Sequence, residues 1–277
     1  MTDVVRSARA RFGSLVRGHD EQIDLGWAAL LLAAEEYPDM RPEAYTRRLD
    51  EMGACAEERV GRYEEPLRQL TAVTDYLFGA LGLRGNEAAY YDPRNSYLNE
   101  VMDRGLGIPI SLTVTLMEVA RRAGLAIQGV GFPGHFLARF DGPDAPVFID
   151  AFSGGELLSA GDCRRRWQEQ LGGGSPFREH YLATLTRRQI LTRMLTNLKS
   201  IYLQSRDYDR ALRVVEYLLL ISPWDLEQIR DRGLMNAQLG QSQEAIADLR
   251  DYLTYYHEPR DFDVICSRLE ALQPQGT

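Results

Sequence analysis

Three side chains of complementary chemistry, Ser111, His135 and Asp150, follow one another in the middle of this chain. A carboxylate that accepts a hydrogen bond from one imidazole nitrogen fixes the tautomer of the ring, so that the other nitrogen can act as a base. A serine hydroxyl beside such a base can be a nucleophile, and a helix N-terminus offers N–H groups to an oxyanion. The three residues therefore indicate acyl transfer or hydrolysis as the chemistry that this segment could perform.

The elements around these residues would bring them together. Apolar residues at helical spacing predict a helix over residues 111–123, which begins at Ser111. Strand-like runs follow the helix, at residues 126–132, 136–140 and 147–149. His135 lies between the first two runs, Asp150 follows the third, and a Gly/Pro-rich turn at 142–146 makes the last two runs a hairpin. We expect His135 and Asp150 to lie on neighbouring strands, with their side chains within about 2.6–3.2 Å of each other.

Each of the three residues also has a purely structural interpretation. Ser111 could be an N-cap, whose hydroxyl accepts a hydrogen bond from an N–H two or three residues further on. His135 could be a buried ring that satisfies a backbone carbonyl, and Asp150 could open a turn. The sequence leaves both sets of interpretations open.

Polar residues just before this segment are candidates for ligand binding. Asn95, Asn99 and Glu100 precede the predicted helix and could line the site, together with Tyr97 and Arg104. The alternative is a helix N-terminus with Asn95 as its cap and an exposed polar face.

The chain predicts three regions and an α+β fold. Residues 1–90 form a helical N-terminal region, with apolar residues at helical spacing in three segments, at residues 27–34, 42–53 and 66–81. Residues 91–183 form a core with a small antiparallel sheet and a further helix at 160–171, followed by a glycine run at 172–174 that predicts a flexible connection. Residues 184–277 form a third, helical region.

The third region contains an internal repeat. Two units of about 34 residues begin near residues 192 and 226, and they carry large, small and proline residues at the positions of a tetratricopeptide repeat. Ala211 and Ala245 occupy the same small position in the two units, whereas Lys199 and Arg232 depart from the usual small or apolar residues. We expect four antiparallel helices over residues 192–256, with the two alanines at the tight helix–helix contacts.

The composition narrows the class of partner. A net charge of −8 argues against a nucleic-acid binder that relies on phosphate neutralisation. Two basic runs are expected to be solvated helix faces, Arg121 with Arg122 and Arg164 with Arg165 and Arg166. No run reaches the roughly 18 apolar residues of a membrane span, and no apolar core follows the N-terminal arginines as in a secretory signal. We expect a cytoplasmic protein that binds neither nucleic acid nor membrane.

The cysteines and histidines form no recognisable metal-binding or redox motif. Cys55, Cys163 and Cys266 are far apart in the sequence, and no CxxC or HExxH motif occurs. Glycine-rich phosphate-binding motifs do not occur either. We therefore expect no metal site, no disulfide framework and no cofactor.

The segment from Asn95 to Asp150 resembles a known family. Its motifs GIPISL, EVARRAGL and GVGFPGHF look like those of the transglutaminase-like family with C-terminal tetratricopeptide repeats, the SirB-type bacterial proteins. The resemblance implies a papain-like core in which a Cys–His–Asp triad performs acyl transfer or peptide hydrolysis. His135 and Asp150 match the second and third members of that triad. The nucleophile position falls near residues 109–111, where no cysteine stands.

Two functions follow from the resemblance and the missing cysteine. The first is a transglutaminase-fold scaffold without catalysis, a regulatory or interaction protein whose repeats bind a protein or peptide partner. The second is a hydrolase or acyltransferase that uses Ser111, His135 and Asp150. The missing thiol favours the first function, because an alcohol is a far weaker nucleophile than a thiolate. Homo-oligomerisation is left open by the sequence.

Overall fold

A computed structural model gives the fold of residues 3–171 and 176–272. The chain divides into two compact units, Met1–Met194 and Leu195–Thr277. The predicted boundaries between three regions, after residues 90 and 183, stay a prediction. The glycine run at 172–174, predicted as a flexible connection, lies outside the described residues. Within the described part of the chain, every helix is too short or too polar to span a membrane.

The N-terminal part of the first unit is helical, as predicted. Its helices are α1 Asp3–Val16, α2 Leu25–Glu36, α3 Pro42–Val60 and α4 Pro66–Thr74. Helix α2 is apolar on nearly all sides and is buried among its neighbours, which is the usual environment of such a helix. Asp24 caps it by accepting a hydrogen bond from the Trp27 N–H at 2.8 Å. Pro42 and Pro66 stand in the first turns of α3 and α4, where an N–H has no helical partner.

The predicted N-terminal helices differ from the structure mainly at their ends. The helix predicted at 42–53 continues to Val60. Gly53 does not end the helix but lies inside it, at a close packing contact: a Cβ there would lie 2.3 Å from Cβ of Arg122. The helix predicted at 66–81 changes after Thr74 into a π-helical turn, Asp75–Ala80. Neither Gly53 nor the π-helical turn changes the spacing of the apolar residues by much. The 3.6-residue pattern in the sequence therefore cannot reveal them.

The core of the first unit places a central helix against an antiparallel sheet. Its elements in chain order are β1 Arg84–Gly85, α5 Leu98–Arg104, β2 Leu106–Gly107, α6 Pro109–Arg122, β3 Ile127–Val130, β4 Leu137–Asp141, β5 Pro146–Asp150, β6 Glu156–Leu158 and α7 Ala160–Leu171. Strands β3 to β6 pair antiparallel in sequence order, and β1 pairs with β2 in parallel just before α6. Helix α6 packs against α3 and against β3 and β4. This architecture confirms the predicted α+β class.

The hairpin of β4 and β5 sets the positions of two candidate residues. Its register pairs Ala138 with Ile149 and Asp141 with Pro146. The start of β4 therefore lies beside the end of β5. Because His135 just precedes β4 and Asp150 ends β5, both candidates come to the same end of the sheet.

Strand β6 is not among the three strand-like runs predicted before the helix at 160–171. Gly154 and Gly155 reverse the chain with φ angles of +72° and +79°, and β6 then pairs with β5. Two of the residues of β6 are exposed and only Leu158 is buried. A strand this short has no alternation from which a sequence pattern could reveal it.

The repeat region is helical throughout its described residues. Its helices are α8 Arg187–Gln204, α9 Tyr208–Ile221, α10 Leu226–Gln238, α11 Ser242–Tyr255 and α12 Phe262–Leu272. The four helices predicted at 192–256 correspond to α8–α11, and α12 extends the array. Ala211 and Ala245 are fully buried, as expected for the small positions. A Cβ on Gly233 would lie 2.9 Å from Cγ of Leu249, so α10 and α11 are in close contact there.

The two repeat positions that hold an unexpected charge each have an acidic partner. Lys199 Nζ donates to Gln228 Oε1 and to Asp231 Oδ2, both at 2.8 Å. Arg232 donates through Nε at 2.9 Å and through Nη2 at 2.6 Å to the carboxylate of Asp248. These hydrogen-bonded ion pairs compensate for the charges inside the repeats.

Candidate functional site

His135 and Asp150 form a hydrogen-bonded pair at the end of the sheet. The Nε2 atom of His135 lies 2.9 Å from Oδ1 of Asp150, within the predicted distance. His135 lies in the turn before β4 and not on a strand, and Gly134 supports that turn with a φ angle of +72°. The His135 side chain is 20% exposed and the Asp150 side chain 2%. The ring is thus accessible to solvent while its carboxylate partner is buried.

Further donors hold the Asp150 carboxylate in place. Its Oδ1 accepts from the backbone N–H groups of Phe152 at 3.1 Å and Ser153 at 3.2 Å. Its Oδ2 accepts from the Ser153 hydroxyl at 3.0 Å and from Arg166 Nη1 at 2.7 Å. Burial acts to raise the pKa of Asp150, but the bond and charge of His135 and the bonds from Ser153 outweigh it and lower the pKa to about 2. Asp150 is therefore ionised at neutral pH.

The ionised carboxylate determines which imidazole nitrogen is available. A carboxylate only accepts hydrogen bonds, so the proton between the two groups belongs to Nε2 of His135, and Nδ1 is the nitrogen left for a ligand. The ring is packed edge-on against Phe152 at a centroid distance of 6.2 Å. The backbone carbonyl of His135 accepts from Arg193 Nη2 at 2.7 Å. The arrangement can therefore orient a base or a hydrogen-bond acceptor.

Arg166 belongs to the site and corrects the expectation of a solvated helix face. Its Nη1 bonds to Asp150, and its Nη2 donates to Glu156 Oε2 at 2.5 Å. Arg166 follows the buried Cys163 by one helical turn of α7, so it lies on the side of the helix that faces the sheet. That spacing is the sequence signal that could have identified it. Arg122 is also not solvated, since its side chain is only 12% exposed and is paired with acids.

Ser111 is buried in the first turn of α6, and its hydroxyl is already bonded. Ile108 is the N-cap residue and Pro109 begins the helix, so the expectation that Ser111 is the N-cap is wrong. The Ser111 Oγ donates to the Asn95 carbonyl oxygen at 2.6 Å and accepts from the Ile108 N–H at 3.1 Å. Because a hydroxyl has one proton, none is left for a base. Among the described residues, no hydrogen bond joins Ser111 to His135.

Phe152, Gly85 and Gly107 lie between the His135–Asp150 pair and Ser111. Phe152, which packs against the His135 ring, also covers Gly85: a Cβ there would lie 2.6 Å from the Phe152 ring. Gly85 pairs with Gly107 in the β1–β2 ladder. A Cβ on Gly107 would in turn lie 2.8 Å from the Ser111 Oγ. The structure thus brings His135 and Asp150 into direct contact, whereas the described contacts lead to Ser111 through Phe152, Gly85 and Gly107.

Asn95 holds the loop before α5 in place. Its Nδ2 donates to the Ala89 carbonyl oxygen at 2.7 Å, and its Oδ1 accepts from Asn86 Nδ2 at 3.0 Å. The side chain is fully buried. Tyr97 is the N-cap residue of α5, which begins at Leu98, so the interpretation of Asn95 as a helix cap is wrong.

Asn99 and Glu100 lie in the first turn of α5. Asn99 is 3% exposed, and its Oδ1 has no hydrogen-bond partner in the described chain. Glu100 forms a long ion pair of 3.9 Å with Arg104. Among the described residues, neither side chain has a hydrogen bond to His135 or Asp150. A binding role for Asn95, Asn99 and Glu100 stays a prediction.

The cysteines do not supply the missing thiolate. Cys55 is exposed and Cys266 half-buried, whereas Cys163 is fully buried in an apolar cluster with Phe148 and Trp167. Burial raises the pKa of Cys163 to about 11, so its thiol is protonated at neutral pH. In the described ranges, no group of three His, Cys, Asp or Glu side chains is placed to hold a metal ion.

The helix–sheet core, with the His–Asp pair at its end, lies in the part of the chain that matches a known superfamily. Residues 43–196, more than half of the chain, match the family model of the Transglutaminase-like superfamily. Residues 198–270 match the tetratricopeptide repeat. The chain therefore belongs to the transglutaminase-like superfamily and carries C-terminal tetratricopeptide repeats.

Individual relatives share this organisation to different extents. A "UPF0162 protein" of Xylella fastidiosa strain Temecula1 is 40% identical over 265 residues, which cover 94% of each chain. "Protein SirB1" of Salmonella typhimurium is 27% identical over 226 residues, which cover 80% of this chain and 81% of the relative. "F-box only protein 21" of Mus musculus is 34% identical over 144 residues, 48% of this chain and 21% of the relative. No solved structure matches the chain.

Proposed function

We propose that this chain is a non-catalytic member of the transglutaminase-like superfamily that acts as a regulatory or protein-interaction scaffold through its helical repeats. The bonding of Ser111 carries the proposal: its buried hydroxyl donates to the Asn95 carbonyl oxygen. Acyl transfer needs a nucleophile whose proton the histidine can accept. Pro109 and Ile110, the residues before Ser111, carry no nucleophilic atom.

The retained pair of His135 and Asp150 is suited to binding. Among the described residues, no hydrogen bond is made to Nδ1 of His135. Aromatic rings lie next to the imidazole: the ring centroid of Phe152 is 6.2 Å from that of His135, and the ring centroid of Tyr90 is 5.9 Å from that of Phe152. Such a surface offers one polar anchor and an apolar contact area, as ligand pockets commonly do. We therefore assign the pair to the binding of a peptide or small ligand.

The repeats are the proposed contact for a protein partner. Tetratricopeptide repeats generally mediate protein–protein interaction. In this chain Trp224 is 87% exposed and Tyr255 67%. Trp and Tyr are enriched among the residues that contribute most to protein interfaces, so these positions are the first to test. A cytoplasmic location stays a prediction of the sequence, which leaves homo-oligomerisation open.

Site-specific photo-crosslinking in cells that produce the chain tests the scaffold proposal. A photoreactive amino acid replaces Trp224 in one variant and Tyr255 in a second, and it replaces Tyr63, an exposed residue of the first unit, in a control. We expect a covalent adduct with one defined protein at the repeat positions and none at Tyr63. Equal adducts at all positions, or no adduct at the repeat positions, would contradict the proposal.

The alternative function is a serine-based hydrolase or acyltransferase that uses Ser111, His135 and Asp150. The distance of 2.9 Å between His135 Nε2 and Asp150 Oδ1 is in its favour. The hydrogen bonds of Ser111 to Asn95 and Ile108 are against it. Covalent labelling of Ser111 by a serine-directed probe would favour this alternative over the scaffold.

A further inference from the structure

A cavity of about 470 Å³ lies in the first unit, between the second half of α3, the residues after the π-helical turn and the end of α5. Its volume falls in the range of about 300–1,000 Å³ that small-molecule sites occupy. Among the residues that the structure describes, its lining shares none with the His135–Asp150 pair or with the donors around that pair. The cavity is therefore a second candidate site.

The floor of the cavity is apolar. Met52, Leu83 and Met102 line it, and Leu83 and Met102 are buried. Tyr76 adds an aromatic ring; burial, with Cys55 beside the hydroxyl, raises the pKa of Tyr76, so that the hydroxyl is protonated. An apolar ligand body on this floor would remove both surfaces from water, which favours binding.

The charged side chains of the lining are predominantly basic. Arg48, Arg84 and Arg104 line the cavity together with two acids, Glu51 and Asp103. Arg48 and Asp103 form an ion pair with each other. Arg84 is exposed and, within the described ranges, has no ion pair and no side-chain hydrogen bond. The lining residues thus carry one more positive than negative charge, in a chain whose net charge is −8.

Arg104 also has bonding capacity left. Its Nη2 donates to Asn95 Oδ1 at 3.3 Å, whereas its Nη1 is buried and has no hydrogen-bond partner in the described chain. The carboxylates of Glu100 and Asp92 lie 3.9 Å from the guanidinium nitrogens, beyond hydrogen-bonding distance. Because Nη1 is buried, Arg104 can offer it to a ligand only if the side chain shifts; without such a shift it contributes positive charge to the wall of the cavity.

Two glycines keep space open at the edge of the cavity. Gly82 and Gly105 line it with φ angles of +70° and +67°, a left-handed conformation that favours glycine. A Cβ on Gly82 would meet no atom within 4 Å. The chain therefore turns here without filling the space beside Arg84 and Arg104.

We propose that this cavity binds a small organic anion. The carboxylate or phosphate group of the ligand bonds to the exposed guanidinium of Arg84 and is attracted by the positive charge of Arg104, and its apolar body lies on Met52 and Met102. The ion pair of Arg48 and Asp103 borders the site without adding net charge. Glu51, which within the described ranges has no ion pair, repels the ligand anion and limits its affinity.

Methionine-methyl NMR on the full chain tests the proposal at the cavity itself. The chain contains seven methionines, so the labelled methyl spectrum is simple, and Met52→Leu and Met102→Leu assign the two reporters. Phenyl phosphate and phenylacetate are the anionic probes, and benzyl alcohol is the neutral control of similar shape. The variants are Arg84→Ala and, as the matched control, Arg68→Ala, which removes an exposed arginine of α4 outside the cavity.

We expect the anions to shift the Met52 and Met102 signals in a saturable manner and benzyl alcohol to leave them unchanged. Arg84→Ala should weaken the binding by about tenfold or more, and Arg68→Ala should not change it. Glu51→Gln should strengthen it. A preference for one anionic probe identifies phosphate or carboxylate as the natural group.

Other outcomes would overturn the proposal. Equal shifts with benzyl alcohol would make the cavity an apolar crevice without charge recognition. Equal losses in Arg84→Ala and Arg68→Ala would reduce the effect to general charge attraction. Unchanged Met52 and Met102 signals with every probe would mean that the cavity binds no such anion.

Discussion

The carboxylate of Asp150 accepts hydrogen bonds from an imidazole, a hydroxyl, a guanidinium and two backbone N–H groups. These five donors belong to four residues, because Ser153 supplies both its hydroxyl and its N–H, and together they fix the turn after β5. At the residue scale, the pair of His135 and Asp150 therefore has a structural role whether or not a ligand binds. The same bonds that orient the ring stabilise the fold.

Replacing Asp150 by Asn should cost about 2 kcal/mol of unfolding free energy at pH 7, because the pKa of Asp150 is lowered to about 2 in the folded state. A lowered folded-state pKa adds stability above the unfolded pKa of about 4, and this stability is lost as the pH falls from about 4 to about 2. The stability difference between the wild-type chain and Asp150→Asn should therefore shrink over that window. Urea unfolding at a series of pH values measures it.

Asp141→Asn is the matched control for this prediction. Asp141 ends β4, as Asp150 ends β5, but its side chain is 60% exposed in its ion pair with Arg139. An exposed pair contributes little, so the control should change the unfolding free energy by less than about 1 kcal/mol. A stability difference for Asp150→Asn that stays constant down to pH 2 would contradict the lowered pKa.

Ser111→Ala should destabilise the fold by about 1–3 kcal/mol, because it removes a buried hydroxyl that bonds to Asn95 and Ile108. Ser200→Ala is the control, since Ser200 is exposed and its hydroxyl bonds within its own helix, to the Thr196 carbonyl oxygen. That change should stay within about 0.5 kcal/mol. Urea unfolding midpoints compare the two variants, and an unchanged midpoint for Ser111→Ala would argue against the structural role of Ser111.

At the scale of elements, apolar patterns predicted the type and order of most helices and strands. The predicted runs at 126–132, 136–140 and 147–149 match β3, β4 and β5, because alternation and turn residues mark them. Strand β6 and the extension of α3 beyond Gly53 follow from tertiary contacts that no local pattern contains. The predicted hairpin was enough to bring His135 and Asp150 together. Arg166, in contrast, reaches Asp150 because α7 packs on the sheet, which the sequence pattern did not reveal.

Ala211→Leu tests the packing of the repeats at the same scale. Ala211 is fully buried in α9, so the larger side chain should overpack its surroundings and cost about 1–3 kcal/mol. Ala247→Leu places the same side chain on an exposed position of α11 and should change the unfolding free energy by less than about 0.5 kcal/mol. Thermal or urea unfolding distinguishes them; equal stability of both variants would mean that the assigned repeat register is wrong.

At the scale of the whole molecule, the chain joins a superfamily of enzyme-like folds to a class of repeats that bind proteins. A fold by itself does not establish an activity, so function has to be argued from the side chains at the site. Those side chains are an oriented His–Asp pair, a bonded serine and a protonated, buried cysteine. In the described part of the chain, neither Ser111 nor Cys163 is an activated nucleophile, which is the basis of the proposed non-catalytic function.

The full chain should therefore have no measurable peptidase or transglutaminase activity. Incubation with a panel of acyl-donor peptides should give no turnover, and a serine-directed covalent probe should not label Ser111, because its proton is engaged by Asn95. A cysteine-directed probe should label the exposed Cys55 and leave Cys163 unlabelled, since burial raises the pKa of Cys163 to about 11. The same pattern is expected in the His135→Ala control, because no step depends on the ring. Labelling of Ser111, or turnover that disappears in His135→Ala, would replace the scaffold by a serine hydrolase.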